Sequence, residues 1–300
     1  MRVLVAGAGY LGEKLADDLS SRGDAVTALT GSEASAKRLR ESGKGYPVLA
    51  ADLGDVASLR AVLSQCEGSF DAAVHCASSG RGGPEVYGRV YGEGCRNLSS
   101  LLPEARLLFT SSTSVYAQSD GGWVDEQSPA TPLRETGRIL REAENFVVAQ
   151  GGMVARVAGI YGPGRSIILQ KFFEDSAAIE GEGGRFVNQA HRDDIVSAYL
   201  LLLDSSREAP PAPALVNVVD SQPQSQRDLY TWLAQRFCRP VPPRVAPDLE
   251  RKRGWTHKRV SNARLRALGW TPRYPSFQDA VLGDPDLLSA AMQATAVDGE

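Results

Sequence analysis

The sequence predicts an α/β fold, a doubly wound parallel sheet with a smaller C-terminal lobe. Three observations carry that expectation. Short β-branched and aliphatic runs alternate with helix-like segments from the start, a glycine-rich turn joins the first run to the first helix, and Pro and Arg become dense only beyond about Asp220. A chain of 300 residues is long enough for a major domain and a second lobe.

Strands are expected in RVLVAG, DAVTALT, GYPVLAADL, FDAAVHCAS and RLLFTSS, with helices between them. In the first helix, YLGEKLADDLSSRG, the residues Leu11, Leu15 and Leu19 recur every four positions and Gly23 closes it, which gives one apolar stripe and a defined stop. LRETGRILREAE, Leu133 to Glu144, reads as a surface helix that starts at Pro132. GMVARVAGIY is a further strand ending in the turn GPGR. HRDDIVSAYLLLLDSS is a helix and PALVNVVD a last strand, so the sheet extends to about Asp220. RPVPPRVAP and ERKRGWTHKR then mark the lobe, with helical pieces at QRDLYTWLAQRF and SNARLRALGW, and a fraying helix and tail from about Ser289.

Composition excludes several functions. A formal net charge of -3 and a pI near 5.8 give no polyanion-seeking field, so nucleic acid is not expected as a partner. VLVAGAG is too short for a signal peptide and no window nears the ~18 apolar residues of a membrane span, so a cytoplasmic protein is expected. Cys66, Cys76, Cys95 and Cys238 fall into no CxxC spacing, which points to buried thiols and to neither a disulfide framework nor a metal.

The first strand runs straight into GAGYLG, with Gly7, Gly9 and Gly12 on the GxGxxG spacing. Gly7 allows a tight turn, Gly9 lets the backbone approach a pyrophosphate, and Gly12 permits close packing of helix on strand. The helix N-terminus at Tyr10 and Leu11 faces the negative charge. In this βαβ context the pattern reads as a Rossmann dinucleotide cradle. A site for NAD carries an acid roughly 20 residues on. Here Thr30 stands at that place, with Ser32, Lys37, Arg38 and Arg40 following. Neutral donors beside cations favour a 2′-phosphate, so the expected cofactor is NADP, with NAD as the alternative and Glu33 as the counter-argument. The expected division is residues 1–164 with 191–220 in the dinucleotide-binding domain and 165–190 with 221–300 in a substrate lobe.

Several stretches together resemble the extended short-chain dehydrogenase/reductase family, the NAD(P)-dependent epimerase and dehydratase group that works mostly on nucleotide sugars. AADLGD resembles the adenine-contacting segment, which implies that role for Asp52 and Leu53. HCASS resembles the segment beneath the cofactor, with Ala77 and Ser78. FTSSTSVY resembles SSxxVYG, which implies Ser112 as the catalytic Ser/Thr and Ser111 beside the cofactor. ARVAGIYGPGR resembles RxxxxYGPGR, and VNQAHRDDIVSA the segment that returns across the substrate cleft. The glycine loop is one residue shorter than the family's GxxGxxG, a mark of an atypical branch.

The family keeps YxxxK in the helix after SSxxVYG, where Tyr transfers the proton and Lys lowers its pKa. Counting back from Ala143 and Glu144, the Lys position holds Leu140 and the Tyr position Thr136. A Thr hydroxyl can orient a carbonyl but cannot act as a proton reservoir near pH 7, and Leu140 has no charge. Arg138 and Arg141 are expected to face solvent. Other donors remain open: Tyr116, Tyr161 and His191, the last with an ordinary pKa of ~6.5 or, equally, a role in ordering its loop.

Two functions compete. One is an NAD(P)-dependent oxidoreductase or epimerase-like enzyme acting on a sugar nucleotide or similar polar small molecule. Ser112 and His191 would then be its catalytic candidates, with Tyr116, Thr136, Tyr161, Arg165 and Asn188 at the substrate and a basic, aromatic lobe (Arg192, Arg244, Trp255, Arg259) for an anionic or ring-bearing ligand. The other is a catalytically silent NADP-binding redox or metabolite sensor. The resemblance also allows a homodimer through VYGRVYGEGCRNLSSLL and LRETGRILREAENFV.

Overall fold

The computed structural model describes residues 1–80, 82–205, 213–249 and 255–297, and side chains as far as residue 292. Its first elements are β1 (Arg2–Ala6), α1 (Tyr10–Ser21), β2 (Ala25–Thr30), α2 (Glu33–Glu41), β3 (Val48–Ala50), α3 (Val56–Leu63) and β4 (Ala72–His75). A helical run over 84–101, here α4, contains a π segment at Gly88–Glu93. β5 (Arg106–Ser112), α5 (Glu135–Ala149), β6 (Met153–Val157), α6 (Arg192–Ser205) and β7 (Leu215–Val218) follow.

The seven strands form one sheet in the order β7-β6-β5-β4-β1-β2-β3. β1 pairs in parallel with β2 on one side, Val5 opposite Ala28, and with β4 on the other, Val5 opposite Val74. The strand order therefore reverses beside β1, which is where open α/β sheets bind ligands at their carboxyl edge. Val3 to Ala6 are fully buried, as a strand covered on both faces requires. Leu11, Leu15 and Leu19 are the buried stripe of α1, and Gly23 at φ +90° ends it.

The chain divides into two compact units, one of residues 1–115, 130–156 and 198–216, the other of 116–129, 157–197 and 217–300. The boundary differs from the one expected from sequence. Residues 157–164 and 191–197 go with the second unit because Gly159–Tyr161 pairs in parallel with Gln189–His191. Residues 116–129 join them because Trp123–Val124 pairs with Arg259–Val260. An aromatic-rich core, including Tyr161, Phe172, Tyr230 and Phe277, holds the second unit together.

Three local expectations are corrected. α5 begins at Glu135, not Pro132: Arg134 is still extended, and Pro132 lies over Gly137, where an added Cβ would come within 2.5 Å of it. Arg141 is half-buried and paired with Glu144, whereas Arg138 is exposed. Cys238 is exposed, because it takes the left-handed position (φ +51°) that closes the helix Gln226–Arg236. The ERKRG stretch, residues 250–254, lies outside the described residues. None of the described helices is long and apolar enough to cross a membrane.

Candidate functional site

Three glycines after β1 do three different things. Gly7 sits at φ +102°, and a Cβ there would come within 2.2 Å of the Ala77 nitrogen, so the segment leaving β4 backs directly onto this turn. Gly7 and Ala8 both donate to the Leu29 carbonyl at 2.8 Å, which locks the turn to β2. A Cβ on Gly12 would stand 2.2 Å from the Gly7 oxygen, so α1 can seat on the turn only without one. Gly9 is the opposite case, since a Cβ there meets nothing within 4 Å. It is the N-cap of α1 and supplies no side-chain acceptor to the first turn. Two glycines are thus needed for packing, and the third leaves an open face at a helix N-terminus, the arrangement that suits a pyrophosphate. Leu11 is buried on the sheet and Tyr10 half-buried, so Leu11 can offer only backbone to this face.

The rim departs from expectation at Thr30. Its side chain is buried and its hydroxyl donates to the Ser32 carbonyl at 2.9 Å, so it is not presented to a ligand. Ser32 is exposed and caps α2, its Oγ accepting from Ser35 N–H. Arg38 lies 3.4 Å from Glu13, Arg40 pairs with Glu33, and Lys37 stands 3.8 Å from Glu41, so each nearby cation already has a carboxylate. At the end of β3, Asp52 accepts from Gly54 N–H at 2.8 Å and pairs with Arg89 of the π segment, while the Leu53 carbonyl accepts from Asn97. Ala77 lines the glycine turn. Ser78 is exposed, its Oγ accepting from Gly80 N–H.

β5 delivers Ser111 and Ser112 to the same carboxyl edge, with their side chains in different surroundings. Ser111 is buried and donates to Glu144 at 2.5 Å, so its hydroxyl is structural and not on a cofactor. Ser112 is half-buried. Its Oγ accepts from Ser114 N–H at 3.2 Å, and its own proton has no acceptor among the described residues. α5 packs on β5 and on the turn Thr113–Val115, which puts this helix beside Ser112. Its buried face is Gly137, Leu140, Ala143, Glu144 and Val147. Leu140, at 4% exposure, is therefore a core residue, and only half-buried Thr136 lies at the edge of that face.

The second unit holds the remaining candidates, and most are already committed. Tyr116 is fully buried and its hydroxyl donates to Asn217 at 3.0 Å. Asn188 spends both ends of its amide on backbone, donating to the Lys258 carbonyl and accepting from Val260 N–H. His191 is buried; Nδ1 accepts from Asp193 N–H at 3.3 Å and Nε2 faces Asp284 at 3.1 Å. Burial lowers its pKa despite the neighbouring carboxylates. It is a loop-ordering histidine, not a proton donor to a ligand. Tyr161 packs edge-on against it, and burial pushes the phenol well above its ordinary range. The Tyr161 hydroxyl and Asp220 Oδ1 are buried without partners among the described residues. Arg165 is exposed in the tight turn that it closes with Gly162.

Sequence reasoning missed three groups. Arg89 has no signal in spacing. Arg156, fully buried against Glu144, was visible as a charge inside an apolar strand. Lys258 is buried with its ammonium on the Tyr116 carbonyl at 2.7 Å, and burial lowers its pKa to about 8.

Comparison with known proteins agrees with the cradle. Residues 3–218 match the family described as NAD dependent epimerase/dehydratase. Protein YeeZ of Escherichia coli K12 is 31% identical over 287 residues, covering 91% of this chain and 96% of YeeZ. The 3-diazoavenalumate denitrifying reductase of a Streptomyces species is 28% identical over 316 residues, covering 94% and 99%. The fold is shared with Thermus thermophilus UDP-glucose 4-epimerase in complex with NAD, at a TM-score of 0.79 and 21% identity over 98% of this chain and 99% of that one. With most of its length matched and a nicotinamide dinucleotide cradle built at its first turn, the chain belongs to the NAD dependent epimerase/dehydratase family, within the extended short-chain dehydrogenases/reductases.

Proposed function

We propose that this enzyme, an oxidoreductase or epimerase by family, acts with NADP(H) on a hydroxyl or carbonyl carbon of a polar small molecule such as a sugar nucleotide, and does so without a Tyr–Lys couple. The observation that carries the reading is the open face at Gly9, the one glycine of the cradle whose missing Cβ packing does not require. Gly7 to Gly12 and the α1 N-terminus would hold the dinucleotide's pyrophosphate there, and the bound cofactor would supply hydride-transfer chemistry. Ser112 has a hydroxyl free to hydrogen-bond a substrate oxygen, but neither its alcohol nor that of Thr136, which stands in the proton donor's place, can ionise near neutrality. The net proton then passes through water. NADP is favoured because Thr30 leaves no carboxylate after β2 to repel a 2′-phosphate, and exposed Ser32 starts α2 there.

The 3-diazoavenalumate reductase, a relative named for an acceptor that is not a sugar, widens the substrate panel. Calorimetry with NADPH and NADH, followed by turnover of nucleotide sugars and small carbonyl compounds, tests the proposal. Tighter binding of NADPH and turnover of at least one compound are expected. No heat with either cofactor ends the cradle reading; tight binding with no turnover of any kind favours the sensor.

A further inference from the structure

Over residues 257–260 burial alternates as in an extended chain: Lys258 and Val260 are buried, and His257 and Arg259 are half-buried on the other face, with half-buried Trp255 two positions before them. Backbone bonds fasten this segment to the loop before Trp123. His257 N–H donates to the Gln118 carbonyl, Gly121 N–H to the His257 carbonyl and Arg259 N–H to the Gly122 carbonyl. Gly121 stands at φ +79°, and a Cβ there would come within 2.7 Å of His257 Nε2, so the imidazole lies directly on the loop. The result is an aromatic row within the second unit. His257 stacks on Phe186 with ring centroids 5.3 Å apart, Trp255 stands 6.2 Å from His257, and the Arg259 guanidinium lies over both Phe186, at 5.0 Å, and Trp123, at 5.2 Å.

This row holds donors without acceptors. Other arginines of the same unit rest on acids, Arg185 on Glu180, Arg244 on Glu182 and Arg264 on Glu126. Arg259 pairs with no acid among the described residues: its Nε donates to the Gly121 carbonyl at 2.9 Å, and both Nη groups are left over. Asp120, the acid of the adjoining loop, is exposed and accepts from Gly122 N–H. His257 Nδ1 accepts from Phe186 N–H at 3.3 Å, so the neutral ring carries its proton on Nε2, which has no acceptor among the described residues. The Trp255 indole N–H is buried and unpartnered, a cost that a ligand acceptor removes.

With Nε committed, the end of the guanidinium presents Nη1 and Nη2 as a fork, the spacing that takes both oxygens of a carboxylate. The two rings beneath fix the plane of that fork. Trp123, 56% exposed, extends beside it as a flat apolar surface. Fork and ring surface are contiguous, which suits an acid attached directly to a ring, whereas a nucleotide carries its ring and its phosphate a sugar apart.

We propose that Arg259, Trp123 and Phe186 form a binding site for an aromatic carboxylate, the two oxygens taking the Nη hydrogens of Arg259 and the ring lying against Trp123. His257 supplies a further donor. The site lies within the second unit and needs no dinucleotide, so it stands apart from the cofactor reading.

Saturation-transfer NMR titrations of the full chain without cofactor test it. The probes are 2-naphthoate, its neutral amide, cyclohexanecarboxylate and uridine 5′-monophosphate, with thermal unfolding of each variant alongside. Wild type should bind 2-naphthoate at least about tenfold more tightly than the other three. Arg259→Gln should weaken that binding by about tenfold or more. Trp123→Ala, a change at an exposed side chain, should weaken 2-naphthoate about fivefold and leave cyclohexanecarboxylate as it was. Equal binding of the amide shows that no anion is read, equal binding of cyclohexanecarboxylate that no ring is read, and a preference for uridine 5′-monophosphate that the site takes a nucleotide; each overturns the proposal. So does a folded Arg259→Gln with wild-type affinity. Should Arg259→Gln not fold, Trp123→Ala decides, and unchanged 2-naphthoate binding there overturns it. A wild type that binds no 2-naphthoate ends the proposal and leaves the dinucleotide reading untouched.

Discussion

Arg156 meets Glu144 inside the nucleotide-binding unit, its Nη2 donating to Oε2 at 2.7 Å and its Nε to Oε1 at 3.0 Å, with both side chains at most 2% exposed. The contact joins β6 to α5, and the Ser111 hydroxyl on the same carboxylate ties in β5. One buried acid thus sets the rotation of α5, which decides that Leu140 points into the core and leaves Thr136 at the edge. The helix owes its position beside Ser112 to this network.

A buried pair is costly to desolvate, but removing the acid leaves the buried Arg156 charge without its carboxylate. Glu144→Ala is therefore expected to destabilise the protein by about 3–5 kcal/mol in urea unfolding, and a Glu144→Leu/Arg156→Met double variant to recover much of that loss. A single-variant cost below about 1 kcal/mol would mean that the network is not what seats the helix.

The glycine turn separates packing from binding. Gly9→Val is expected to retain the wild-type melting temperature and lose cofactor heat in calorimetry, because its added atoms enter open space that a pyrophosphate needs. Gly12→Ala should instead cost about 1–3 kcal/mol without any cofactor present, from a Cβ 2.2 Å from a carbonyl oxygen. Equal stability losses in the two variants would contradict the division.

The sheet and the cradle were legible in sequence because their signals are local: hydrophobic periodicity, a glycine at positive φ, an apolar stripe from Leu11 to Leu19. The lobe boundary was not, since it depends on Trp123 pairing with Arg259 and on Gly159 pairing with Gln189, contacts that no window contains. Side-chain roles failed where a hydroxyl or imidazole had a choice of partner. Thr30 turned to the Ser32 carbonyl, and His191 found Asp284, 93 positions away. Residue type suggested chemistry in both cases, and the partner each side chain found, one local and one distant, committed it elsewhere.

The second unit should lose stability as pH rises through the acid range and into neutrality. Burial raises the Asp220 carboxyl well above its ordinary 3.8, with Asp194 as the next cause, and burial raises Asp194 to about 6. Each folded group holds its proton above the pH at which the unfolded chain releases it, so their contribution is fully present below pH 3.8 and declines as pH climbs through the folded values. His191 works oppositely, its lowered pKa removing stability as pH falls below 6.5. Asp220→Asn is expected to be more stable than wild type at pH 8 and to converge with it near pH 3.5. Denaturant titrations at both pH values check this; a variant less stable than wild type at pH 8 would show that Asp220 is ionised in the fold.

The last prediction concerns the proton. On the proposed reading, α5 stands where the family keeps its Tyr and Lys, with Thr136, an alcohol at the helix edge, and Leu140, a core side chain, in their places. Neither the buried Tyr116 nor the buried His191 has a free group to substitute, since each already bonds a partner inside the second unit. Ser112 remains as a hydrogen-bond donor to the substrate oxygen, its hydroxyl proton accepted by no described residue, while the net proton passes through water. On any compound that the enzyme turns over, Thr136→Ala should stay within about twofold of wild type, because removing a true general acid costs ~10² to 10⁴ in rate. Ser112→Ala should lower kcat by about 10² or more through loss of its bond to the substrate oxygen. His191→Ala should cost stability, by about 1–3 kcal/mol, with the rate per folded molecule preserved. The comparison is made on purified variants with NADPH, each corrected for its folded fraction. A hundredfold loss confined to Thr136→Ala would return the proton to α5 and end this account.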